Sequence, residues 1–121
     1  MSGAKNWYFP DGYLPEKLGN SRIEAHEAMM LLNVNEQPAH VLLDFYFEDR
    51  DPVLGIPISV GAQRVVCLRM DKASEFGGPA IAPLVQYALR VRSDMDIVVQ
   101  FGRLDATQPN LAYYTSMGYC E

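Results

Sequence analysis

The chain has 121 residues, of which 49% are hydrophobic and 21% charged, a composition typical of one globular domain spanning residues 1–121. Ten Lys and Arg against fifteen Asp and Glu give a net charge of -5, which disfavours binding to the phosphate backbone of nucleic acids. No apolar run approaches the roughly 18 residues that cross a bilayer. The first residues lack a signal-peptide pattern, so we expect a cytoplasmic protein.

The turn-forming residues are spaced as in an all-β sandwich or barrel, at about every eight to twelve residues. The first predicted strand covers residues 6–9 and ends at Pro10-Asp11-Gly12. A second strand is predicted over residues 22–33. Helix is the alternative there, because Glu, Ala, Met and Leu dominate the segment.

The clearest period-two alternation of apolar side chains lies in residues 41–48 and predicts a strand with one core face. The connection 34–38 that precedes it is short and rich in turn formers. We therefore expect segments 22–33 and 41–48 to pair as a hairpin, which favours strand over helix for the first of them.

The two histidines, His26 and His40, are separated in this predicted hairpin. His40 would lie opposite Leu31, five positions from His26, which is roughly 17 Å along a strand and on the opposite face. We therefore expect no shared metal, and two hydrogen-bonded structural histidines are the simpler interpretation.

The second half of the chain continues in strands. Pro57 makes the first of these an edge strand or marks a bulge. Residues 71–83 are predicted to be a long surface loop, and Ser93-Asp94 is predicted to turn the chain between two strands. With those above, the strands make an all-β, single-domain β-sandwich of about eight antiparallel strands. The strands predicted here are residues 54–60, 63–70, 85–92, 97–104 and 111–117.

The cysteines, Cys67 and Cys120, have no CxxC spacing and no neighbouring histidine. This excludes the usual zinc and thioredoxin-like motifs. Cys67 stands between Val66 and Leu68 in a predicted strand, so we expect an inert core thiol. A domain of this size is stable without a metal or a disulfide, and the sequence predicts neither a metal nor another cofactor.

Charged residues on core-facing positions are the most informative feature. Arg103 and Asp105 share a face with the apolar residues of their predicted strand, and Arg64 shares the parity of its apolar neighbours. Such charges form an ion pair, with each other or with Glu27, or they line a pocket at the mouth of the sandwich. Their convergence on one end favours the pocket.

No nucleophile elbow, P-loop or GxGxxG motif is present, so we do not expect an enzyme. The alternative, an enzyme acting on sugars, would need paired carboxylates across a cleft, and Glu27 with Asp105 is the pair that the sequence offers.

A set of residues in register over nearly the whole chain resembles the sensory rhodopsin transducer family of small prokaryotic proteins. The residues that carry the resemblance are Trp7, Gly12-Tyr13-Leu14-Pro15, His26-Glu27, Leu32-Asn33, Ala39-His40-Val41, Gln63-Arg64 with the strand to Arg69, Val98-Val99-Gln100 and Arg103-Leu104-Asp105.

The resemblance implies a cytoplasmic β-sandwich that forms a homo-oligomer, with a tetramer expected, and that relays a signal from a membrane photoreceptor in the member that names the family. It also implies that relatives bind small polar ligands, sugars among them. The ligand-binding set carried over is Trp7, as an aromatic wall, with His26, Glu27, His40, Arg64, Arg103 and Asp105.

Two functions follow from these observations. In the first, the protein is a non-enzymatic signal-relay or ligand-sensing module that binds a small polar molecule, such as a sugar, at the end of the sandwich. In the alternative, it is a protein-interaction transducer that docks on the cytoplasmic face of a membrane receptor without a small ligand. The acidic surface suits Lys- and Arg-rich receptor loops, so charge does not separate the two.

Overall fold

The fold is built on one long strand, β6, which has 20 residues. A computed structural model describes residues 2–17, 24–105 and 112–121. Within these ranges the chain forms eight strands and one short 3₁₀ helix, Met70–Phe76. The strands are β1 Ala4–Tyr13, β2 His26–Asn33, β3 Ala39–Phe47, β4 Val53–Val60, β5 Arg64–Arg69, β6 Gln86–Asp105, β7 Ala112–Met117 and β8 Tyr119–Cys120.

Strand β6 belongs to two half-sheets that pack face to face. Its first part pairs with β1 and β3, and β8 and β4 lie outside these in the first half-sheet. Its second part pairs with β2 and β7, and β5 lies outside β2 in the second half-sheet. Phe9 of the first half-sheet packs on Phe101 of the second, with ring centroids 5.9 Å apart. The predicted all-β fold of about eight antiparallel strands is confirmed.

The core lies between the half-sheets and contains the residues that the period-two patterns place on one face. Each large aliphatic or aromatic side chain buried there contributes about 1.5 to 3 kcal/mol to stability. Strands β3 and β6 contribute to this core Ala39, Val41, Leu43, Phe45, Tyr87, Leu89, Val91, Ile97, Val99 and Phe101.

The predicted turn at Ser93-Asp94 is wrong, because β6 runs through it without a break. At this point the strand exchanges its partners. Ala4 lies opposite Ile97 while Asn6 lies opposite Arg92, so several residues of β6 bulge out against β1. Polar turn-forming residues therefore mark the crossing between half-sheets here.

The predicted hairpin of segments 22–33 and 41–48 is also wrong, since β2 pairs with β5 and β6 whereas β3 pairs with β4 and β6. The connection carries the chain from one half-sheet to the other. It is fixed by the buried amide of Asn33, which donates to the carbonyl oxygens of Gln37 at 2.8 Å and Gly61 at 3.1 Å. The strand predicted for 22–33 is confirmed over β2 and the helix alternative is wrong; residues 22 and 23 lie outside the described ranges.

Other strand and loop boundaries differ from the predicted ones for local reasons. Strand β1 continues beyond Phe9 to Tyr13 by way of an irregularity between Phe9 and Gly12. The predicted loop 71–83 contains most of the 3₁₀ helix, which forms because Met70 and Ala73 reach the core. The edge position predicted from Pro57 is confirmed, because β4 pairs only with β3 among the described strands. The last predicted strand, 111–117, is confirmed over Ala112–Met117 as β7, and residue 111 lies outside the described ranges.

Cys67 is exposed, so the expected core thiol is wrong. The core face of β5 carries Leu68 instead, and Cys67 points to the other side. We predict that the Cys120→Ser variant reacts with a thiol reagent such as Ellman's reagent under native conditions, at a rate that denaturant changes little. Reaction only after unfolding would contradict the placement of Cys67.

Candidate functional site

The polar group that the structure assembles surrounds Glu27, a carboxylate with no exposed surface. Both of its oxygens accept the backbone N–H of Tyr13, at 2.9 and 3.0 Å. The Tyr87 hydroxyl donates to Oε1 at 2.6 Å, and Arg103 Nε donates to Oε2 at 2.7 Å. We call these residues, together with Asp11, the Glu27 cluster.

Strand geometry explains why these groups meet. Glu27 on β2 lies directly opposite Arg103 on β6, and opposite residues of an antiparallel pair share one face. The irregularity of β1 before Gly12 precedes Tyr13, whose N–H points to the carboxylate. Tyr87 reaches across from the first half-sheet, so the cluster joins both halves of the fold.

Arg103 connects this buried carboxylate to the surface, since its side chain is 16% exposed. Its Nη2 faces Asp11, at 3.4 Å from the carbonyl oxygen and 3.7 Å from Oδ1. On β7, the ring of Tyr114 lies beside the guanidinium, which is 5.2 Å from the ring centroid. The inner edge of the guanidinium is therefore held tightly and its outer edge loosely.

Burial and the charge of Glu27 determine the protonation states of Tyr87 and Arg103. Burial and the negative charge of Glu27 raise the pKa of Tyr87 far above its ordinary value, so the hydroxyl stays a donor. Burial opposes the charge of Arg103, but the hydrogen bond and the negative charge of Glu27, with smaller contributions from Tyr114 and Asp11, together outweigh it and raise the pKa of the guanidinium. Neither group exchanges a proton near neutral pH, so neither serves as a general acid or base.

The structure places the other predicted site residues apart from this cluster. Trp7 is 4% exposed, and its indole N–H donates to the carbonyl oxygens of Ala4 and Ile97, both at 3.1 Å, so it is a core residue. Arg64 is exposed, and the prediction that it points inward is wrong. It lies opposite Asn33, six residues along β2 from Glu27, which is about 20 Å.

The predicted position of His40 is wrong, whereas His26 has the hydrogen-bonding partner expected of a structural histidine. His40 lies opposite Ser59 and not Leu31, because β3 pairs with β4. His26 is half-buried at the start of β2, with Nδ1 2.8 Å from the carbonyl oxygen of Glu24. Among the described residues, no three His, Cys, Asp or Glu side chains gather as metal ligands.

Asp105 is the last residue of β6 and is half-buried, one strand position beyond the end that His26 occupies on β2. Of the seven predicted residues, Glu27 and Arg103 are therefore in contact, and His26 and Asp105 lie at the same end of the second half-sheet. Tyr87 and Tyr13 were missed as partners of Glu27. The unexpected glutamate on a core-facing position was the signal that buried donors were required.

Sequence reasoning also missed a second buried carboxylate, Asp44. It accepts two hydrogen bonds from Arg92, from Nε at 2.8 Å and Nη2 at 2.7 Å. Burial opposes the charge of Asp44, but Arg92 and the backbone N–H of Gly55 lower the pKa of the carboxyl. A cleft of about 600 Å³ lies on strands β3, β4 and β6 of the first half-sheet, and the residues that line it include Arg92, His40 and Ser59.

A third ionic group fixes the 3₁₀ helix. Asp71, whose side chain is 4% exposed, accepts hydrogen bonds from Arg69 at 2.6 and 2.8 Å and from Lys17 at 2.7 Å. Burial opposes its charge, yet Arg69 and Lys17 lower its pKa from 3.8 to about 2.

A carboxylate with a lowered pKa stabilises the fold above the pKa of the unfolded chain, and the stabilisation is lost as the pH falls through the folded pKa. We therefore expect the stability advantage of the wild type over Asp71→Asn to fall by about 2 kcal/mol between pH 5 and pH 2. Urea unfolding at several pH values measures this, with Glu75→Gln on the same helix as the control. A pH-independent difference would contradict the ionic role of Asp71.

The described helix is too short and too polar to span a membrane. The fold and the Glu27 cluster define a small all-β protein whose assembled polar site is an internally paired carboxylate and guanidinium.

Comparisons with known proteins identify its relatives. The family model for the Anabaena sensory rhodopsin transducer matches residues 2–120, so the chain belongs to this family. It is similar to the solved structure of Thermotoga maritima 1070, with 30% identity, a TM-score of 0.85 and coverage of 100% of this chain and 97% of that one. It is also similar to the Anabaena sensory rhodopsin transducer, with 30% identity, a TM-score of 0.71 and coverage of 88% and 93%. No curated protein matches the chain.

Proposed function

We propose that this protein is a non-enzymatic, cytoplasmic signal-relay module that acts as a homo-oligomer, a tetramer by analogy with its family, and takes a small polar molecule as its input. Membership of a family named for a transducer supports the relay role. The ligand in this proposal is a polyol such as a sugar, or a small carboxylate, bound at the outer edge of Arg103.

The observation that carries the ligand site is the asymmetry of Arg103. Its Nε is fixed to buried Glu27 at 2.7 Å, whereas the contacts of Nη2 with Asp11 are 3.4 and 3.7 Å long. A guanidinium held in this way presents donors in a fixed fork to hydroxyl or carboxylate oxygens. The adjacent ring of Tyr114 offers a flat face on which a sugar can stack.

The same contacts supply a route for the relay. A ligand that draws Arg103 outward lengthens its bond to Glu27, and Glu27 is held in turn by the backbone of Tyr13 and the hydroxyl of Tyr87. A change at Arg103 therefore reaches β1 and both half-sheets. His26 and Asp105 lie at the same end and are the neighbours proposed to complete the site, whereas Trp7, His40 and Arg64 are left out because they lie elsewhere.

The test is a thermal-shift and calorimetry panel of monosaccharides and small hydroxycarboxylates. A ligand present at a hundred times its dissociation constant stabilises the protein by about 2.7 kcal/mol, which a melting curve resolves. We expect a member of the panel to bind wild type and Arg92→Lys alike and to bind Arg103→Lys at least about tenfold more weakly, because lysine lacks the fork. If a ligand binds both variants equally, or if no member of the panel binds, the proposed ligand site at Arg103 is wrong.

The alternative, a transducer that docks on a receptor without a ligand, is favoured by the exposed acidic connection 48–52 between β3 and β4. It carries three carboxylates, Glu48, Asp49 and Asp51, around Arg50. Cytoplasmic loops of membrane proteins are rich in Lys and Arg, which this connection complements. Binding to membranes that contain a sensory rhodopsin, lost in a variant with all three acids changed to Asn or Gln, would support docking. Unchanged binding would exclude this surface.

A further inference from the structure

A cleft of about 150 Å³ lies on the open side of the sandwich, between β1 and the edge strand β7. The buried rings of Phe9 and Phe101 line it, and so does Met117. Tyr8 and Tyr119 also line it, with ring centroids 6.0 Å apart. An apolar cavity of about 150 Å³ can bind a benzene ring. The cleft therefore has the size and the lining that one aromatic ring requires.

The cleft is adjacent to the outer edge of Arg103. Ser116 on β7 lines the cleft and lies opposite Phe101. Two positions away, Tyr114 lies opposite Arg103, with its ring centroid 5.2 Å from the guanidinium. Residues two positions apart on a strand share one face at a separation of roughly 7 Å. Asp11 on β1 belongs to both places, because it lines the cleft and its carbonyl oxygen is 3.4 Å from Arg103 Nη2. The aromatic cleft and the guanidinium are therefore neighbours along one groove.

We propose that this groove binds a small carboxylate that carries an aromatic ring, with the ring in the cleft and the carboxylate on the outer edge of Arg103. This inference rests on the proposed function, because it names the class of ligand that the Arg103 site takes. At about 1.5 Å for each carbon–carbon bond, a linker of about two or three carbon atoms spans the groove once the radius of the ring is included. Hydrocinnamate, a phenyl ring joined to a carboxylate by a two-carbon linker, has this form.

Asp11 occupies the place that the carboxylate of such a ligand would take. Its Oδ1 is 3.7 Å from Arg103 Nη2 and its side chain is 73% exposed, so the ion pair is weak. A ligand carboxylate at the usual charge-assisted distance of about 2.8 Å binds the guanidinium more strongly than Asp11 does. Because Glu27 already neutralises the inner edge of Arg103, the charge of Asp11 opposes an anionic ligand. Removal of that charge should therefore strengthen binding.

The first test compares three compounds by calorimetric titration of the wild type. Propanoate keeps the carboxylate of hydrocinnamate but lacks the ring, and hydrocinnamyl alcohol keeps the ring but lacks the charge. We expect hydrocinnamate to bind at least about tenfold more tightly than either, because it alone buries a ring and pairs with the guanidinium. Equal binding of propanoate would overturn the role of the cleft, and equal binding of the alcohol would overturn recognition of a carboxylate by Arg103.

The second test uses variants at exposed positions, which should not disturb the core. Ser116→Leu places a larger side chain in the cleft and should weaken the binding of hydrocinnamate by about tenfold or more. Thr115→Leu is the matched control and should leave binding unchanged, because neighbouring residues of a strand point to opposite faces. Asp11→Asn should strengthen the binding of hydrocinnamate by about threefold or more and leave that of the alcohol unchanged.

The outcomes separate this inference from the proposed function. If a monosaccharide or hydroxycarboxylate binds in dependence on Arg103 and hydrocinnamate does not bind, the inference is wrong and the proposed function stands. Hydrocinnamate binding that Ser116→Leu does not weaken, or that Asp11→Asn does not strengthen, would likewise overturn the inference alone. If no compound of either panel binds, the inference and the ligand site of the proposed function are both wrong.

Discussion

The Arg103→Ala variant is expected to lose about 3 kcal/mol or more of its free energy of unfolding, because it leaves a carboxylate in the core without its cation. Glu27 has no exposed surface, and its remaining donors are the hydroxyl of Tyr87 and the N–H of Tyr13. Chemical denaturation at neutral pH measures the loss. Arg64→Ala, which removes an exposed arginine bonded only to nearby carbonyl oxygens, should cost less than about 0.5 kcal/mol.

Replacing the carboxylate instead of the guanidinium should cost less free energy of unfolding. Glu27→Gln keeps an acceptor for Tyr87 and leaves Arg103, which is 16% exposed, able to reach water. The double variant Glu27→Gln/Arg103→Ala should therefore recover part of the stability that Arg103→Ala loses, by about 1 kcal/mol or more. Additive losses would contradict a direct pair. A loss in Arg103→Ala of less than about 1 kcal/mol would mean that the guanidinium is not needed to neutralise Glu27.

A second large loss of free energy of unfolding is expected for Gly12→Ala. A Cβ atom built on Gly12 would lie 2.5 Å from two carbon atoms of the Tyr87 ring. Tyr87 is 1% exposed and its hydroxyl is bound to Glu27, so the ring cannot move away without breaking that bond. Overpacking of this kind costs about 1 to 3 kcal/mol, and the strained hydrogen bond adds to it.

Gly61→Ala is the matched control, because the Cβ atom there would meet the flexible side chain of exposed Arg64 at 3.3 Å. Its melting temperature should stay within a few degrees of wild type, whereas that of Gly12→Ala should fall clearly. Equal melting temperatures would show that Tyr87 can move without cost, and would contradict the tight packing of its ring against Gly12.

The local pattern of the sequence predicts most strands of this fold but not how they pair. Alternation identifies the core faces of β3 and β6, because side-chain direction in a strand follows from sequence spacing alone. Pairing depends on contacts that are distant in the chain. The 34–38 connection has the composition of a hairpin turn, but it crosses from one half-sheet to the other. The side chain that holds it in this path is the buried amide of Asn33, which belongs to β2 and not to the connection.

The site was predictable only in part for a related reason. Arg103 is an even number of positions from the apolar residues of its strand, which places it on the core face. From the sequence, Glu27 is one of two ion-pair partners expected for it. The donors from Tyr13 and Tyr87 come from the other half-sheet, through a strand irregularity that no spacing reveals. Arg64 has the parity of a core residue but stands at the beginning of an edge strand, where the inner face is open to solvent.

The shared strand β6 has a consequence for how the protein unfolds. Neither half-sheet retains its central strand if the other half separates, because one unbroken chain segment supplies both. The halves should therefore open as one cooperative unit, and amide protons in the first and second parts of β6 should exchange with deuterium at the same slow, global rate. A chain cut at the crossing near Ser93 should therefore lose both halves, because neither fragment keeps a strand that is central to both half-sheets.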